Sequence, residues 1–458
     1  MTLPEAPQTP RRVHLVSLGC PKNRVDSEHL LGQLQRAGLE PTGDPNEADV
    51  LVVNTCAFIE ASKTESIDVI LEMADHKASR PGTRLVVAGC LAQRHAADLS
   101  QSMPEVDAFV GTGELDQIVA RLGLGLPGAG ASVLGAERKP RPEYLADHLE
   151  PRYLAPESFS TYLKIAEGCS QACAFCIIPK LRGVQRSRTV EDCVAEARQL
   201  VARGVIEVNV VAQDLTHYGE DIGEPDALAR LVRELGKVDG LKWVRLLYAY
   251  PDNITDNLID AIATTDNCCK YLDMPLQHAS DAVLSQMKRK TSRAEIEALL
   301  KRLRDGIPDL TLRTTFLCGH PGETEADFRE LMEFVEQQRF HRVGAFAWSR
   351  EEGTLSARLP GSVPTPVRRA RVNQLMKLQE RISTERLQEM MGRVVPVLIE
   401  GLSDETDLLL QGRTQGQAPD IDGVVYVNDA PKDIGRGQIR LVEITQTGQH
   451  DLVGHVVG

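Results

Sequence analysis

The sequence of 458 residues contains no apolar run of the roughly 20 residues that a bilayer-spanning helix needs. Its first twelve residues include Pro4, Pro7 and Pro10 and no apolar core, so no signal peptide is expected. These absences predict a chain without a membrane partner, located in the cytoplasm. Positive charge is also in deficit, with 52 Lys and Arg against 65 Asp and Glu, a formal net charge of −13. Sequence-blind binding to nucleic acid draws its affinity from phosphate neutralisation, so this balance argues against a DNA partner. A second Cys-x-x-Cys pair of the kind that closes structural zinc sites is missing as well. Ten cysteines without an export signal point to metal binding under reducing conditions rather than to a disulfide framework.

What is present centres on Glu167-Gly168-Cys169-Ser170-Gln171-Ala172-Cys173-Ala174-Phe175-Cys176. Intervals of three and two residues let one short loop wrap three corners of a compact metal group. Soft thiolates favour iron-sulfur, zinc or copper(I) over magnesium or calcium. Three cysteines leave the fourth iron of a cubane open, and an open metal position marks a catalytic site. The spacing, with Phe175 as the aromatic, resembles the signature of the radical S-adenosylmethionine (SAM) enzymes. That resemblance implies Cys169, Cys173 and Cys176 as catalytic ligands of a [4Fe-4S] cluster. It further implies a cluster that binds SAM, splits it reductively and yields a hydrogen-abstracting 5′-deoxyadenosyl radical.

The N-terminal region repeats a unit of strand, turn and helix. Val13 to Leu18, Val50 to Val53 and Leu85 to Ala88 are short apolar runs, followed by Gly19-Cys20, Asn54-Thr55-Cys56 and Gly89-Cys90. Strands alternating with helices imply a parallel sheet. The carboxyl ends of such strands line one edge, so Cys20, Cys56 and Cys90 should meet there. One such cysteine alone would be taken as a small buried hydrophobe, but three at equivalent positions suggest a second thiolate-held cluster. The segments Ser17 to Asn23, Asn54 to Ile59 and Ala88 to Gln93 resemble the N-terminal domain of the methylthiotransferases, a branch of the radical SAM enzymes. There the three cysteines hold an auxiliary [4Fe-4S] cluster.

At roughly 150 residues per domain the length suggests about three domains. The expected division is 11–122 for the first domain, a linker at 123–158 rich in Gly and Pro (Pro127, Pro140, Pro142, Pro151, Pro156), 159–391 for the radical SAM domain and 392–458 for the last. Six strands are expected in the central domain: Tyr162 to Ala166, Glu207 to Ala212, Trp243 to Tyr248, Tyr271 to Met274, Leu312 to Leu317 and Arg342 to Phe346. Six units suit an open (βα)6 barrel rather than a closed one of eight, with its chemistry at the carboxyl face. Candidate contacts there are Gln213-Asp214, Arg245, Gln277-His278 and the turn Gly319-His320-Pro321-Gly322-Glu323-Thr324. Thr324 and Asp327 could cap the following helix and leave free N–H groups for a polar cofactor edge. The resemblance makes this the SAM turn, with Phe175, Gln213, Gly319, Gly322 and Glu323 as cofactor-binding residues. His278 reads as an orienting or core histidine. Cys193, in a helix from Val190 to Ala202, and Cys268 and Cys269, ahead of a strand, read as core residues. Cys318, His320 and Trp348 depart from the family pattern, which has an aliphatic residue, Phe and Tyr there.

Two basic runs, Lys180, Arg182, Arg186 and Arg188, then Lys288, Arg289, Lys290 and Arg293, are either solvated faces or the mouth of a site that attracts acidic groups. A helical stretch from Pro366 to Met391 leads to alternating strands, Val394 to Glu400, Leu408 to Gln411, Val424 to Val427 and Ile439 to Ile444, read as a small all-β barrel. This part resembles the TRAM domain that ends the methylthiotransferases. Pro21-Lys22-Asn23 and Ala57-Phe58-Ile59-Glu60 match the RimO type, which methylthiolates the β-carbon of an aspartate on a small-subunit ribosomal protein, rather than the type acting on tRNA adenosine.

Charge gives an independent argument: residues 393–458 hold five Lys and Arg against ten Asp and Glu, a net of −5. An acidic module is a poor RNA surface and complements a basic ribosomal protein, with Asp420 and Asp422 as candidate recruiting residues. An electron donor and a sulfur source are further implied partners. The rival from another class is a non-catalytic iron-sulfur electron-transfer protein, which would ligate each cluster with four cysteines rather than three.

Overall fold

The computed structural model describes residues 11–123, 142–429, 431 and 433–457. Pro4, Pro7, Pro10, Pro127, Pro140 and Lys432 therefore lie outside the described residues, as does much of the expected linker. The chain groups into two compact units.

The first unit, built mainly from residues up to 156, contains a parallel sheet in the order β2-β1-β3-β4-β5. Its strands are β1 (Arg11–Ser17), β2 (Leu39–Pro41), β3 (Val50–Thr55), β4 (Arg84–Gly89) and β5 (Ala108–Val110). The three expected strands are present. β2 and β5, at three residues each, are too short to leave a period in the sequence. Every residue of β3 is buried, as befits a parallel strand covered on both faces. Leu51, Val53, Leu85 and Val87 pack with Ile70, Met73 and Leu91 on one face, whereas Val50, Val52, Val86 and Ala88 meet Leu30 and Leu34 on the other. Residues 166–171 and 177–188 belong to this unit too, where β7 (Ala166–Glu167) pairs antiparallel with β8 (Arg186–Ser187).

The second unit contains all six expected strands of the central domain: β6 (Ser160–Lys164), β9 (Glu207–Val211), β10 (Trp243–Leu247), β11 (Cys268–Asp273), β12 (Thr311–Cys318) and β13 (Arg342–Ala347). They form one open parallel sheet in the order β13-β12-β11-β10-β9-β6. Cys268 and Cys269 lie within β11 rather than ahead of it; both are buried, and burial pushes their thiols up to about 12 and about 11. Cys193 is buried in the helix Val190–Ala202, as expected. After the helix Thr365–Gln388, β14 (Val394–Leu402), β15 (Leu410–Thr414), β16 (Val425–Asn428), β17 (Ile439–Thr447) and β18 (Leu452–Val456) close into a small barrel around Val397, Ile399, Val425, Val442 and Ile444. β18, which completes the closure, was not among the expected strands.

This barrel docks on the larger sheet through buried charge. Arg413 on β15 donates to both oxygens of Glu207 on β9, at 2.6 and 3.2 Å, and Arg245 on β10 donates to the same carboxylate at 3.2 Å and to the Gln415 carbonyl. Arg245 is therefore a docking residue at mid-strand and not a cofactor contact, which corrects the sequence expectation. Of the two proposed recruiting acids, one is corrected as well. Asp422 accepts from the Tyr271 hydroxyl at 2.8 Å and lies 3.6 Å from Arg313, so it serves the fold from inside, while Asp420 accepts from Tyr162 at 3.3 Å but stays exposed.

Burial would raise the Glu207 pKa, but Arg413 and then Arg245 hold it at about 2. A carboxylate depressed in the folded state contributes its full stability above the ordinary value of 4.5 and loses it as pH falls toward about 2. Replacing Glu207 by Gln strips buried Arg245 of its counter-charge and leaves Arg413 with Glu400 alone. Loss of one partner of a buried pair costs roughly 3–5 kcal/mol. The variant should unfold at lower urea and be cut by trypsin near Arg393 sooner than the wild type, and an unchanged urea midpoint would contradict this account of the docking.

Candidate metal centres and cofactor face

In the first unit β1, β3 and β4 are neighbours, and their carboxyl ends deliver Cys20, Cys56 and Cys90 to adjoining turns. The turns are stitched together. Asn23 donates to the carbonyls of Leu18 at 2.7 Å and Thr55 at 3.0 Å. The Thr55 hydroxyl donates to Ala88 O at 2.5 Å and accepts from the Leu91 N–H at 3.2 Å. Ser66 braces Cys56 by accepting from its N–H at 3.1 Å and donating to its carbonyl at 2.9 Å. Gly19, at φ +89°, faces Cys56 so closely that an added Cβ would overlap the Cys56 Cβ. This contact brings the Cys20 turn against Cys56, as the sequence expected.

Cys20 caps the helix Pro21–Arg36 and Cys90 begins the helix Cys90–Ser102. Helix N-termini favour thiolate. Burial pushes the Cys90 thiol up to about 12, and the adjacent Arg182 guanidinium pulls against that shift. Metal binding is what overcomes such a cost, because ligation takes the deprotonated sulfur. Arg182, only 1 % exposed, comes from the short helix Ile178–Arg182 directly after the metal loop. It contacts Asp26 at 2.8 Å, Glu167 at 3.0 Å and Asn23 at 2.6 Å. Among the described residues no three Cys, His, Asp or Glu side chains close tightly enough for a single ion. The soft donors and the guanidinium beside them fit a larger anionic iron-sulfur group.

The loop carrying Cys169, Cys173 and Cys176 is held at both ends. Within the first unit the Cys169 N–H donates to Gly183 O at 3.0 Å, and its sulfur accepts from the Gln171 N–H at 3.4 Å. In the second unit the Cys176 N–H donates to Cys173 O at 3.1 Å, and Ala174 bonds to Met287 and Ser356. Phe175 is half-buried, as is Gln213, two residues beyond β9. Arg289 reaches Cys173, with its Nη1 3.6 Å from the sulfur. The basic runs are therefore not simply a solvated mouth: Arg182, Arg188 and Arg289 are buried, and Arg293 pairs with Glu297 and Glu330. The sequence signal for Arg182 and Arg289 was present, since each lies in a run read as surface, but their direction was not legible.

The turn after β12 is satisfied by its own residues. Glu323 accepts from the N–H groups of Gly319 at 2.5 Å and His320 at 3.2 Å, and its other oxygen accepts from Arg371 at 2.7 Å. The Gly322 N–H donates to Gly361 O, and Thr324 and Asp327 form the expected capping box. The free N–H groups expected for a cofactor edge are thus taken. Gly319 (φ +80°) and Gly322 (φ +85°) need glycine for their conformation and for close approach to Arg368 and Gln286. His278 is buried, as expected; its Nδ1 accepts from the Ser280 N–H at 3.0 Å, and burial pushes it down to about 3. His320 and Trp348, two of the three departures from the expected family pattern, meet edge to face with ring centroids 6.3 Å apart. Tyr248 (φ +71°) and Gln277 (φ +74°) hold left-handed backbone just beyond β10 and β11, a kind of strain that gathers at functional faces.

Three family models match the chain: Uncharacterized protein family UPF0004 over residues 12–111, the Radical SAM superfamily over 163–335 and the TRAM domain over 391–457. The chain is 47 % identical to the ribosomal protein uS12 methylthiotransferase RimO of Syntrophotalea carbinolica, covering 98 % of this chain and 97 % of that one. It is 51 % identical to the protein of the same name from Anaeromyxobacter sp. (strain K), covering 97 % and 93 %. Among solved structures, the radical SAM methyltransferase TsrM from Kitasatospora setae aligns over 76 % of this chain and 77 % of its own, with a TM-score of 0.57 at 16 % identity, a likeness of fold.

Asn23 ties two cysteine turns and Arg182 together, so Asn23→Ala should loosen the site without touching a thiol. Leaving buried partners unsatisfied costs about 1–3 kcal/mol. After anaerobic reconstitution the variant should hold clearly less iron than the wild type while a variant at the exposed Glu40 does not; equal iron in Asn23→Ala and wild type would contradict the stitching role.

Proposed function

The chain belongs to the RimO family of ribosomal protein uS12 methylthiotransferases, within the radical SAM enzymes, and from that premise we propose that it adds a methylthio group to the β-carbon of an aspartate of uS12. Its cofactors are two [4Fe-4S] clusters and SAM, which when bound supply the radical chemistry, the methyl group and an iron open to sulfur. In this reading Cys169, Cys173 and Cys176 hold the cluster that binds SAM, and Cys20, Cys56 and Cys90 hold the auxiliary one. The observation that carries the reading is the convergence of Cys20, Cys56 and Cys90 on adjoining strand ends, since three thiols would leave one iron of a second cluster open to the sulfur that is inserted.

The protein's own residues then divide the work. Phe175 and Gln213 would hold SAM, while Glu323, tied to Arg371, keeps Gly319 and Gly322 in the turn that would border it. Thr55, Asn23 and Ser66 fix the sulfur-bearing turns. A low-potential electron donor and a sulfur source complete the set of partners. Capture of the basic ribosomal protein falls to the exposed acids Asp404, Glu405, Asp407 and Asp420 of the C-terminal barrel, because Asp422 is engaged within the fold. The net of −5 on residues 393–458 disfavours the tRNA alternative, and three thiols per site rather than four disfavour a closed electron-transfer centre.

Mass spectrometry of small-subunit proteins from cells with and without this chain should show one methylthio gain on an aspartate of uS12; a methylthio group found on tRNA adenosine instead would overturn the substrate. Anaerobically reconstituted protein should carry about eight irons, falling to about four in a triple Ala variant of either cysteine set. The variant at Cys20, Cys56 and Cys90 should still cleave SAM yet leave uS12 unmodified.

Charge reversal at Asp404 and Asp407 to Lys should weaken capture of purified uS12. Capture by the wild type should itself weaken as salt rises. Binding that is indifferent to both changes would remove the C-terminal barrel from substrate recognition.

A further inference from the structure

The two cysteine sets each have an arginine at hand, but the charges of these arginines are spent differently. Arg182 gives one nitrogen to Asp26 at 2.8 Å and Glu167 at 3.0 Å, so two carboxylates surround one cation. Arg289 has no carboxylate within ion-pair reach among the described residues. The nearby acids are engaged elsewhere: Asp252 pairs with Lys290 at 3.3 Å and His217 at 3.4 Å, and Asp214 pairs with His217 at 2.7 Å. The Arg289 guanidinium is stacked 3.9 Å over the Tyr250 ring and held by Pro275 O at 2.7 Å, and its Nη1 lies 3.6 Å from Cys173 Sγ. It is 8 % exposed, so its charge is little screened by water.

We propose that Arg289 is a positioning residue that selects which site takes up the electron, raising the reduction potential of the Cys169–Cys173–Cys176 site through its hydrogen bond to Cys173, while Arg182, whose charge is shared with two carboxylates, leaves the Cys20–Cys56–Cys90 site harder to reduce. One electron enters from a low-potential one-electron donor, the recipient site becomes one unit more negative, and no bond forms or breaks. A permanent cation on a ligand sulfur stabilises the more negative form, and hydrogen bonds to cluster sulfurs are a known lever on potential. Arginine suits the position because its plane can stack on Tyr250 and donate sideways to sulfur at the same time. The inference rests on the ligand assignment above.

The test is a redox titration of the reconstituted full chain followed by electron paramagnetic resonance, with the two triple Ala variants identifying the signal of each site. The wild type should reduce at the Cys169–Cys173–Cys176 site first. In Arg289→Gln the ratio of reduced to oxidised site at a fixed potential should fall about tenfold, about 59 mV for one electron, with the other site unmoved. Arg289→Lys should lie between. Tyr250→Leu, which removes the stacking platform, should shift the same site in the same direction, and it decides the matter if Arg289→Gln binds no iron there. An unmoved midpoint in these variants, with full or partial iron, would reduce Arg289 to a strut and overturn the proposal, as would a wild type that reduces the Cys20–Cys56–Cys90 site first. Wild type without iron at Cys169, Cys173 and Cys176 would instead overturn the assignment on which the proposal rests.

Discussion

A parallel strand presents only its carboxyl end at a given edge of the sheet, and the set Cys20, Cys56 and Cys90 depends on that constraint. β1, β3 and β4 run side by side, so a cysteine placed just past each needs no long reach to join the others. The geometry is then secured by backbone chemistry at the turns. Gly19 and Gly89 adopt φ near +90°, which carries each chain sharply from strand to the cysteine. Asn23 and Thr55 occupy the carbonyls that such sharp turns leave exposed. Sheet direction thus decides where the sulfurs lie, and a few buried polar side chains decide how rigidly they stay there.

Metal ligation by buried thiols would create a second demand, since each sulfur would carry charge into a poorly solvated place. Helix N-termini at Cys20 and Cys90 meet part of it. Arginines meet more, and they are costly residues to bury, so each is held by several partners: Arg182 by Asp26, Glu167 and Asn23, Arg289 by Pro275 and the Tyr250 ring. The same economy of buried cations recurs far from any thiol, where Arg245 and Arg413 share Glu207.

The legible parts of this structure were those written in local pattern. The threefold repeat of strand and cysteine, the six central strands and the capping box at Thr324 are each built from short stretches whose residues speak to one another. Three-residue strands such as β2 and β5 carry too few residues for a period. The direction of arginine side chains was hidden for a different reason: Arg182 finds Asp26 at a separation of 156 residues, and Arg413 finds Glu207 at 206. A basic run looks the same in sequence whether its members face water or a carboxylate folded in from elsewhere. The turn at Gly319 to Glu323 taught the same lesson, because glycines that suggested room for a ligand face Arg368 and Gln286.

The Glu207 link also bears on descent. A domain joined only by a tether can be lost or exchanged in one genetic event, since neither side has invested in the other. Here the central sheet has committed Glu207 and Arg245 to a residue that the C-terminal barrel supplies, and Tyr271 and Arg313 lean on Asp422 in the same way. A lineage that discarded the barrel would inherit an internal carboxylate with half its cations gone and a tyrosine facing an empty seat. Several residues of the central sheet would have to change in concert before such a chain was viable, so the two parts are expected to travel through evolution together.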